Sequence, residues 1–255
     1  MYTRSVKIHV FLLLPALAAQ AQQPRNLDLF LLIGQSNMAG RGAVEAQDTE
    51  PIPRVYMLTK ELDWKPAADP MHFDKPAIIG VGIGRSFAKV LLKANPSASI
   101  GLIPSAFGGS SLEEWNPGGK LYADALSRAR AAMKSGMLRG ILWRQGEADS
   151  SGDGLARSYG DRWKRLIGSL REDLGAGKVP VIVGQLGEFF ARPSARIVNE
   201  QLATLPLTAA RTGFVSSAGL NHKGDNVHFD TPSLREFGRR YGLAYLMLDA
   251  GWSKD

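Results

Sequence analysis

The sequence LDLFLLIGQSNM, residues 27–38, carries the strongest structural signal in the chain. Residues 27–33 form a nearly continuous apolar run, which is typical of a strand buried on both faces of a parallel sheet. Gly34 permits a tight turn directly after this strand, and Ser36 follows it. Because functional groups of open α/β sheets collect at the carboxyl ends of the strands, the polar residues after this run are the first candidates for a functional site.

The rest of the chain alternates short apolar runs with amphipathic segments. Strands joined by helices predict right-handed crossovers, and hence a largely parallel sheet with helices on both faces. No internal repeat, low-complexity linker or change in composition divides the sequence, so we expect one domain over residues 22–255. The predicted strands are 27–33, 54–58, 99–104, 138–143, 179–186 and 213–217, and the predicted helices are 85–94, 121–135, 155–174, 194–205 and 231–248, the last capped by Thr231 with Pro232 at its first position.

The composition is that of an ordinary folded protein, with 44% hydrophobic and 22% charged residues among 255. These values exclude a disordered, collagen-like or coiled-coil chain. Cysteine is absent from the sequence, which excludes disulfides, thiolate metal sites and a cysteine nucleophile. The formal net charge is +7, but the basic residues are dispersed. A nucleic-acid surface needs such residues clustered on one face, so no nucleic-acid partner is expected.

Residues 1–21 have the three parts of a secretory signal peptide. Arg4 and Lys7 supply the positive start, the apolar run VFLLLPALAA follows, and Ala19-Gln20-Ala21 is a small-x-small cleavage site. The apolar run is too short to cross a bilayer, and we expect no membrane span once the leader is removed. The sequence therefore predicts an exported protein, periplasmic or secreted, with 29 basic residues against 24 acidic ones after loss of Arg4 and Lys7.

A histidine base and an orienting acid for Ser36 occur near the end of the chain. Asp225 and His228 lie three residues apart, just before the last predicted helix. A serine hydroxyl needs a base to remove its proton, and the base needs an acceptor that orients it, so this pair supplies both. The same pattern occurs at Asp69 and His72, and Phe-Asp follows both histidines. The spacing alone leaves either histidine open as the base, and leaves Ser36 open as a nucleophile or a helix cap.

Two further motifs follow predicted strands and supply hydrogen-bond donors. The sequence GGSSLEEW begins at Gly108, and QGE begins at Gln145. The backbone N–H groups of Gly108 and Gly109 and the side-chain amide of Gln145 are suitable donors to a developing oxyanion. The alternatives are a plain loop for the glycines and structural hydrogen bonds for Gln145 and Glu147. Glu147 could help to orient the base or could simply hold the turn that carries Ser36, and we favour the structural role.

Taken together, GQSNM, GGSSLEEW, QGE and the terminal Asp-x-x-His resemble the motifs of the sialate O-acetylesterase and carbohydrate esterase family six group of the SGNH hydrolases. The motifs stand in the order found in that group, and they span nearly the whole chain after residue 33. The resemblance implies a flavodoxin-like, three-layer α/β/α sandwich with a mostly parallel five-stranded sheet. This fold agrees with the pattern of strands and helices.

The resemblance also implies roles for the residues of these motifs. It makes Ser36 the nucleophile, His228 the general base and Asp225 the acid that orients the base. It thereby favours His228 over His72. The remaining members of the implied site are the oxyanion donors Ser36, Gly108, Gly109 and Gln145 and the supporting residues Asn37 and Glu147.

The expected function is an exported serine esterase that removes O-acetyl groups from a carbohydrate, of acetylxylan or sialate type, through an acetyl-enzyme at Ser36. No metal or organic cofactor is expected for this chemistry. Two other functions fit the same fold: a non-catalytic glycan-binding module, and an acyltransferase that passes the acetyl group to a sugar. Trp64 and Trp115 are candidates for stacking on a sugar ring, although a large aromatic side chain more often packs in a core or at its rim.

Overall fold

The fold is a mostly parallel sheet with helices on both faces, seen in a computed structural model that describes residues 23–249. The three-layer α/β/α architecture predicted from the sequence is confirmed. The predicted signal peptide, residues 1–21, lies outside the described residues. The strands are β1 Leu27–Gly34, β2 Val55–Leu58, β3 Trp64–Pro66, β4 Ile100–Pro104, β5 Gly136–Arg144, β6 Val181–Gly184 and β7 Thr212–Val215.

The strand β1 lies in the middle of the sheet, whose order is β3-β2-β4-β1-β5-β6-β7. It pairs in parallel with β4 on one side and with β5 on the other, so that Leu31 is opposite both Ile103 and Ile141. The turn after β1 therefore reaches the carboxyl edge of the sheet between the loops that follow β4 and β5. This is the edge at which the sequence placed the functional residues.

The sheet has seven strands within the described residues, against the five that the resemblance implied and the six that the apolar runs predicted. One strand that the sequence analysis missed altogether is β3, which pairs antiparallel with β2 at the edge of the sheet. It has three residues, and Trp64 is its single buried side chain. Neither an apolar run nor an alternating pattern marks so short a strand in the sequence.

The helices are numbered in chain order, and the longer ones cover the sheet. Within residues 23–249, none of them combines the length and the apolar character needed to cross a bilayer. The α-helices are α1 Ser36–Ala39, α2 Ala46–Thr49, α3 Gly84–Ala94, α4 Lys120–Ala132, α5 Asp153–Arg157, α6 Tyr159–Asp173, α7 Ala195–Thr208 and α8 Thr231–Leu248, and two 3-10 helices span Leu112–Trp115 and Ala148–Ser151.

Alternate residues of β1 enter two separate cores because successive side chains of a strand point to opposite faces. Leu29, Leu31 and Ile33 join the core that includes residues of α4, α6 and α7. Phe30 and Leu32 join the core that includes residues of α3 and α8. The apolar run in β1 is continuous because both of its faces are covered, as the parallel-sheet interpretation requires.

Two helix predictions differ from the structure in a break and in a cap, and the ends of other helices shift by up to three residues. The single helix expected over residues 155–174 is divided at Ser158 into α5 and α6, while its apolar residues Tyr159 and Trp163 are fully buried as expected. The cap of α8 is Asp230 rather than Thr231, because the Asp230 carboxylate accepts the N–H of Ser233 at 2.8 Å. Aspartate and threonine are both good helix caps, so the sequence did not separate them.

The contact between α3 and α8 depends on glycine and generates a stability prediction. A Cβ atom added at Gly238 of α8 would lie 2.3 Å from the carbonyl oxygen of Ile83, whereas one added at Gly168 of α6 meets no atom within 4 Å. We expect Gly238→Ala to destabilise the fold by about 1–3 kcal/mol through overpacking, despite the better helix propensity of alanine. Gly168→Ala is the matched control and should stabilise the fold by about 0.5–1 kcal/mol.

Urea unfolding of the two variants, with the free energy extrapolated to water, measures both effects. A Gly238→Ala protein as stable as the parent would contradict the close approach of α8 to the start of α3.

Candidate active site

The turn after β1 places Ser36 at the carboxyl edge of the sheet. Gly34 has φ +130°, and a Cβ atom at this residue would lie 2.2 Å from the carbonyl oxygen of Arg144 in β5. Only glycine allows the backbone to come this close to β5. The next residue, Gln35, stays close to the same strand, because its N–H donates to the same Arg144 oxygen at 2.9 Å. Ser36 then begins α1, so its N–H has no acceptor within that helix.

The structure brings Asp225, His228 and Ser36 into one hydrogen-bonded chain. The Nε2 atom of His228 lies 3.0 Å from the Oγ atom of Ser36, and its Nδ1 atom lies 2.7 Å from Oδ2 of Asp225. The other carboxylate oxygen of Asp225 accepts the backbone N–H groups of Val227 and His228 at 3.0 and 2.8 Å. Burial raises the pKa of Asp225, but the hydrogen bonds from His228 and Val227 outweigh it and lower the pKa to about 2. The acid is therefore a carboxylate at any ordinary working pH.

The side chain of Asn37 holds the histidine loop against the serine turn. Its Nδ2 atom donates to Oε1 of Glu147 at 2.7 Å and to the carbonyl oxygen of Val227 at 3.0 Å. Its Oδ1 atom accepts the N–H of Phe229 at 3.1 Å. The hydrogen bonds to Val227 and Phe229 lie on either side of His228. One buried carboxamide, adjacent to Ser36 in the chain, thus fixes the backbone that carries the base.

Behind this carboxamide, a buried ion pair connects β5 to the site. Nη1 of Arg144 lies 3.0 Å from Oε1 of Glu147, and both side chains are almost entirely buried. The contact is ionic rather than a well-aligned hydrogen bond. The guanidinium also lies 5.4 Å from the centre of the Phe229 ring. Glu147 therefore contacts both the serine turn and, through Asn37, the histidine loop.

The second Asp-x-x-His pattern lies elsewhere, and its two side chains have different partners. His72 is buried, and its Nδ1 atom accepts the N–H of Ala106 at 3.3 Å. Burial lowers the pKa of His72 to about 3, so this histidine stays neutral. Burial raises the pKa of Asp69 to about 7, against the attraction of Arg85 at 3.9 Å. The structure brings His228 and not His72 to Ser36.

Two of the predicted oxyanion donors already donate hydrogen bonds to other acceptors within the protein. The N–H of Gly108 donates to Asp74 at 2.8 Å. The Nε2 atom of Gln145 donates to the carbonyl oxygen of Ser110 at 3.1 Å and to Asp149 at 2.6 Å, and the side chain is fully buried. In this arrangement neither donor is free to face an oxyanion. Gln145 joins the loops that follow β4 and β5, which is the alternative that the sequence analysis left open.

Gln35 is the residue that the sequence analysis missed. Its Oε1 atom accepts the N–H groups of Gly146 and Ala148 at 3.4 and 3.5 Å. Because these contacts hold the oxygen end of the carboxamide, the Nε2 end remains as a donor beside Ser36. Its place in GQSNM, directly before Ser36, is a signal that could have identified it. Gly109, unlike Gly108, has an N–H with no acceptor among the described residues.

A pocket of about 350 Å³ opens over Ser36 and His228. Gln35, Gly108 and Gly109 reach its wall, whereas Gln145, His72, Trp64 and Trp115 do not. Trp64 and Trp115 are buried in the core and offer no face to a ligand. The pocket is lined by Gln35, Ser36, Arg41, Lys75, Ile78, Gly108, Gly109, Glu147, Ala148, Phe190, Arg192, Val227 and His228.

His222 and Asp230 are two further polar residues near His228, and they help to hold the loop together. The Nδ1 atom of His222 accepts the N–H groups of Gly224 and Asn226 at 3.0 and 3.2 Å. Asp230 caps α8. Both side chains therefore shape the segment that presents Asp225 and His228.

Comparison of the sequence with known families gives a match over nearly all the described residues. The family model described as carbohydrate esterase, sialic acid-specific acetylesterase, matches residues 26–247. A probable carbohydrate esterase of Arabidopsis thaliana is 33% identical over 246 residues, which cover 89% of this chain and 93% of that protein.

Solved structures with the same fold include proteins of plants and bacteria. The X-ray structure of an Arabidopsis thaliana protein has a TM-score of 0.81 at 32% identity, covering 88% of this chain and 99% of that chain. NanS has a TM-score of 0.74 at 18% identity, with 90% of this chain and 99% of that chain covered. A carbohydrate acetylesterase from Xanthomonas citri has a TM-score of 0.68 at 21% identity, covering 88% of this chain and 57% of that chain. At their low identity, the last two similarities show the fold alone.

The position of Asn37 generates a prediction about the histidine loop. Asn37→Asp replaces the Nδ2 amide group, which donates to Glu147 and to Val227, by a carboxylate oxygen. This oxygen faces the Glu147 carboxylate and donates no hydrogen bond to the carbonyl oxygen of Val227. Because a displacement of about 1 Å at reacting groups can cost about a hundredfold, we expect kcat for p-nitrophenyl acetate to fall by up to this factor, with KM changing less than about twofold.

Asn221→Asp, an exposed change in the same loop, is the matched control and should leave kcat within about twofold of the parent. A folded Asn37→Asp protein with the kcat of the parent would show that Asn37 does not position His228.

Proposed function

This chain belongs to the sialic acid-specific acetylesterase family of carbohydrate esterases, and on that premise we propose that it removes O-acetyl groups from a carbohydrate through an acetyl-enzyme at Ser36. The family makes it a carboxylic ester hydrolase. One observation carries the proposed mechanism: the Nε2 atom of His228 lies 3.0 Å from Oγ of Ser36, while Nδ1 lies 2.7 Å from Asp225. This is the arrangement in which a neutral imidazole removes the proton of a serine hydroxyl.

The first half-reaction transfers the acetyl group to Ser36. Asp225 accepts the Nδ1–H of His228, which fixes the tautomer whose Nε2 accepts a proton. As Nε2 takes the hydroxyl proton, Oγ attacks the acetyl carbonyl carbon and the carbonyl electron pair moves onto oxygen. When this tetrahedral intermediate collapses, the bond from carbon to the sugar oxygen breaks. The proton on His228 passes to that sugar oxygen, and the deacetylated sugar leaves.

Three donors support the negative oxygen of the tetrahedral intermediate. We assign the N–H of Ser36, the N–H of Gly109 and the Nε2 of Gln35, since their hydrogen atoms have no acceptor among the described residues. Donors fixed in advance stabilise developing charge without reorganising during the reaction. The contacts of Gln35 with Gly146 and Ala148 provide this fixation.

The second half-reaction uses the same groups with water as the nucleophile. His228 takes a proton from water while the water oxygen attacks the acetyl carbon of the acetyl-serine. Collapse of the second tetrahedral intermediate breaks the bond from carbon to Oγ and returns the proton to Ser36. Acetic acid is released and loses its remaining proton to solvent as acetate, and the starting state is restored.

The proposal places this reaction outside the cytoplasm, because residues 1–21 carry the pattern of a secretory leader. The proposed substrate is an acetylated glycan, with acetylated xylan, another plant polysaccharide and O-acetyl sialic acid as the candidates.

The decisive test uses Ser36→Ala and a panel of acetylated glycans. We expect the parent protein to release acetate and to react with a fluorophosphonate at Ser36, as an activated serine does. Ser36→Ala should lose both properties, with turnover falling by at least about ten-thousandfold.

Glycan binding by the parent without labelling or acetate release would instead indicate a binding module. Acetyl transfer to an added sugar in preference to water would indicate an acyltransferase.

The donor assignment generates a second prediction. Gln35→Ala removes one donor and should lower kcat by about 10²–10³-fold with little change in folding. Gln145→Ala removes the buried link between Ser110 and Asp149, and we expect its main effect on the melting temperature.

Both variants are compared by steady-state kinetics and thermal unfolding under the same conditions. A larger loss of kcat in Gln145→Ala than in Gln35→Ala would reverse the assignment.

A further inference from the structure

A second pocket lies beside the active-site pocket, and the proposed reaction makes no use of it. It has a volume of about 380 Å³ and is formed by the turn after β2, the segment at Phe73 and Asp74, the loop after β4 and α4 from Leu121 to Arg128. Its charged lining residues are Lys60, Asp74, Asp124 and Arg128. We call this cavity the lateral pocket.

The charges around the lateral pocket do not balance. Asp74 is paired with Arg41 at 2.6 Å, and Asp124 is paired with Lys120 at 2.5 Å. Both acids that line the lateral pocket are therefore neutralised by bases outside its lining.

Lys60 and Arg128, in contrast, form no ion pair with any described residue. The nearby acid Glu61 is exposed to solvent. The lateral pocket thus keeps an excess of positive charge.

The side chain of Arg128 is held in one orientation by uncharged acceptors. Its Nε atom donates to the carbonyl oxygen of Pro104 at 2.8 Å, and its Nη2 atom donates to those of Leu58 and Thr59 at 2.9 and 3.0 Å. The guanidinium also lies 4.6 Å from the centre of the Phe73 ring. Only 8% of the residue is exposed. These bonds leave Nη1 as the donor available to a ligand, on a buried cation that forms no ion pair with a described acid, while Asp124 and Glu61 attract it from farther away.

The apolar part of the lateral pocket fits a ring. Phe107 and Leu62 are large apolar side chains left 41% and 43% exposed, and both line the cavity. Phe73 forms a further part of the wall. Sugar rings present apolar C–H faces that pack on such side chains, and a carboxylate accepts a charge-assisted hydrogen bond from a free guanidinium N–H such as Nη1 of Arg128. A sugar ring that bears a carboxylate combines the two features.

The lateral pocket and the active-site pocket share one wall. Asp74 lines the lateral pocket and accepts hydrogen bonds from Gly108 and Arg41, both of which line the active-site pocket. Phe107 of the lateral pocket precedes Gly108 directly in the chain. A ligand that occupies one pocket is therefore a close neighbour of a ligand in the other.

We propose that the lateral pocket binds a uronic acid unit of the same glycan whose acetyl group is removed at Ser36, with its carboxylate facing Arg128 and Lys60. The inference rests on the proposed function for the position of the acetyl group. It specifies the substrate class as an acidic oligosaccharide or polysaccharide rather than a free monosaccharide.

The test measures binding to Ser36→Ala, so that it does not depend on turnover. Two acetylated xylo-oligosaccharides are compared by calorimetry, identical except that one carries a glucuronic acid branch. We expect the acidic oligosaccharide to bind at least about tenfold more tightly. Lys60→Ala, combined with Ser36→Ala, should remove most of this difference without disturbing the buried Arg128.

Lys178→Ala is the matched control, because it removes the same charge at a cavity lined by Met133 and Pro180, separate from both pockets. It should leave the preference for the acidic oligosaccharide within about twofold of the Ser36→Ala protein. Equal affinity for the two oligosaccharides, or a preference that survives Lys60→Ala, would overturn the inference. Hydrolysis of p-nitrophenyl acetate by the parent reports separately on the proposed esterase, so a failure of one proposal is distinguished from a failure of the other.

Discussion

The site depends on one carboxamide that joins two distant parts of the chain. Ser36 and His228 are separated by 192 residues, yet their side chains meet at 3.0 Å. Asn37 fixes this distance, because it follows Ser36 in the chain and its side chain forms hydrogen bonds with the backbone on both sides of His228. An unpaired buried amide would cost about 1–3 kcal/mol, so the loop has one favoured position against the serine turn. The geometry is a consequence of satisfying a buried polar group.

This constraint operates because the sheet first brings its parts together. The order β4-β1-β5 puts the end of β1 between two neighbouring parallel strands. At Gly34 the chain passes so close to β5 that a side chain would overlap the Arg144 carbonyl oxygen. The loops after β4 and β5 then supply Gly109 and Glu147 on opposite sides of Ser36. Covering both faces of β1 with helices thus serves the site, since it holds the strand ends in fixed register.

Sequence patterns predicted those features that depend on burial and chain order. Apolar runs identified the parallel strands, whereas the choice of the serine, the histidine and the acid that the structure brings together came from the resemblance of the ordered motifs to a known family, since spacing alone left two histidines open. The strand β3 and the break at Ser158 were not predicted, because a three-residue strand or a single helical turn has too little periodicity to be recognised in a sequence. Gly108 and Gln145 were predicted as oxyanion donors because a glycine N–H and a glutamine side-chain amide can both donate a hydrogen bond to an oxyanion. Whether a suitable N–H is free depends on Asp74 and Asp149, and a linear pattern does not show these acceptors.

Buried charge also concentrates at the carboxyl edge of the sheet. Arg144 with Glu147 lies behind the histidine loop, and Arg41 with Asp74 lies behind the glycine pair. Buried ion pairs are weak contributors to stability compared with apolar packing, but breaking one is costly, so each restrains the backbone attached to it. Apolar side chains would fill the same volume, but they would not fix the orientation of the backbone to which they are attached. The ion pairs therefore lie beneath the loops whose N–H groups and imidazole face the pocket, where the orientation of those groups has to be fixed. The two cores on either face of β1, in contrast, are apolar.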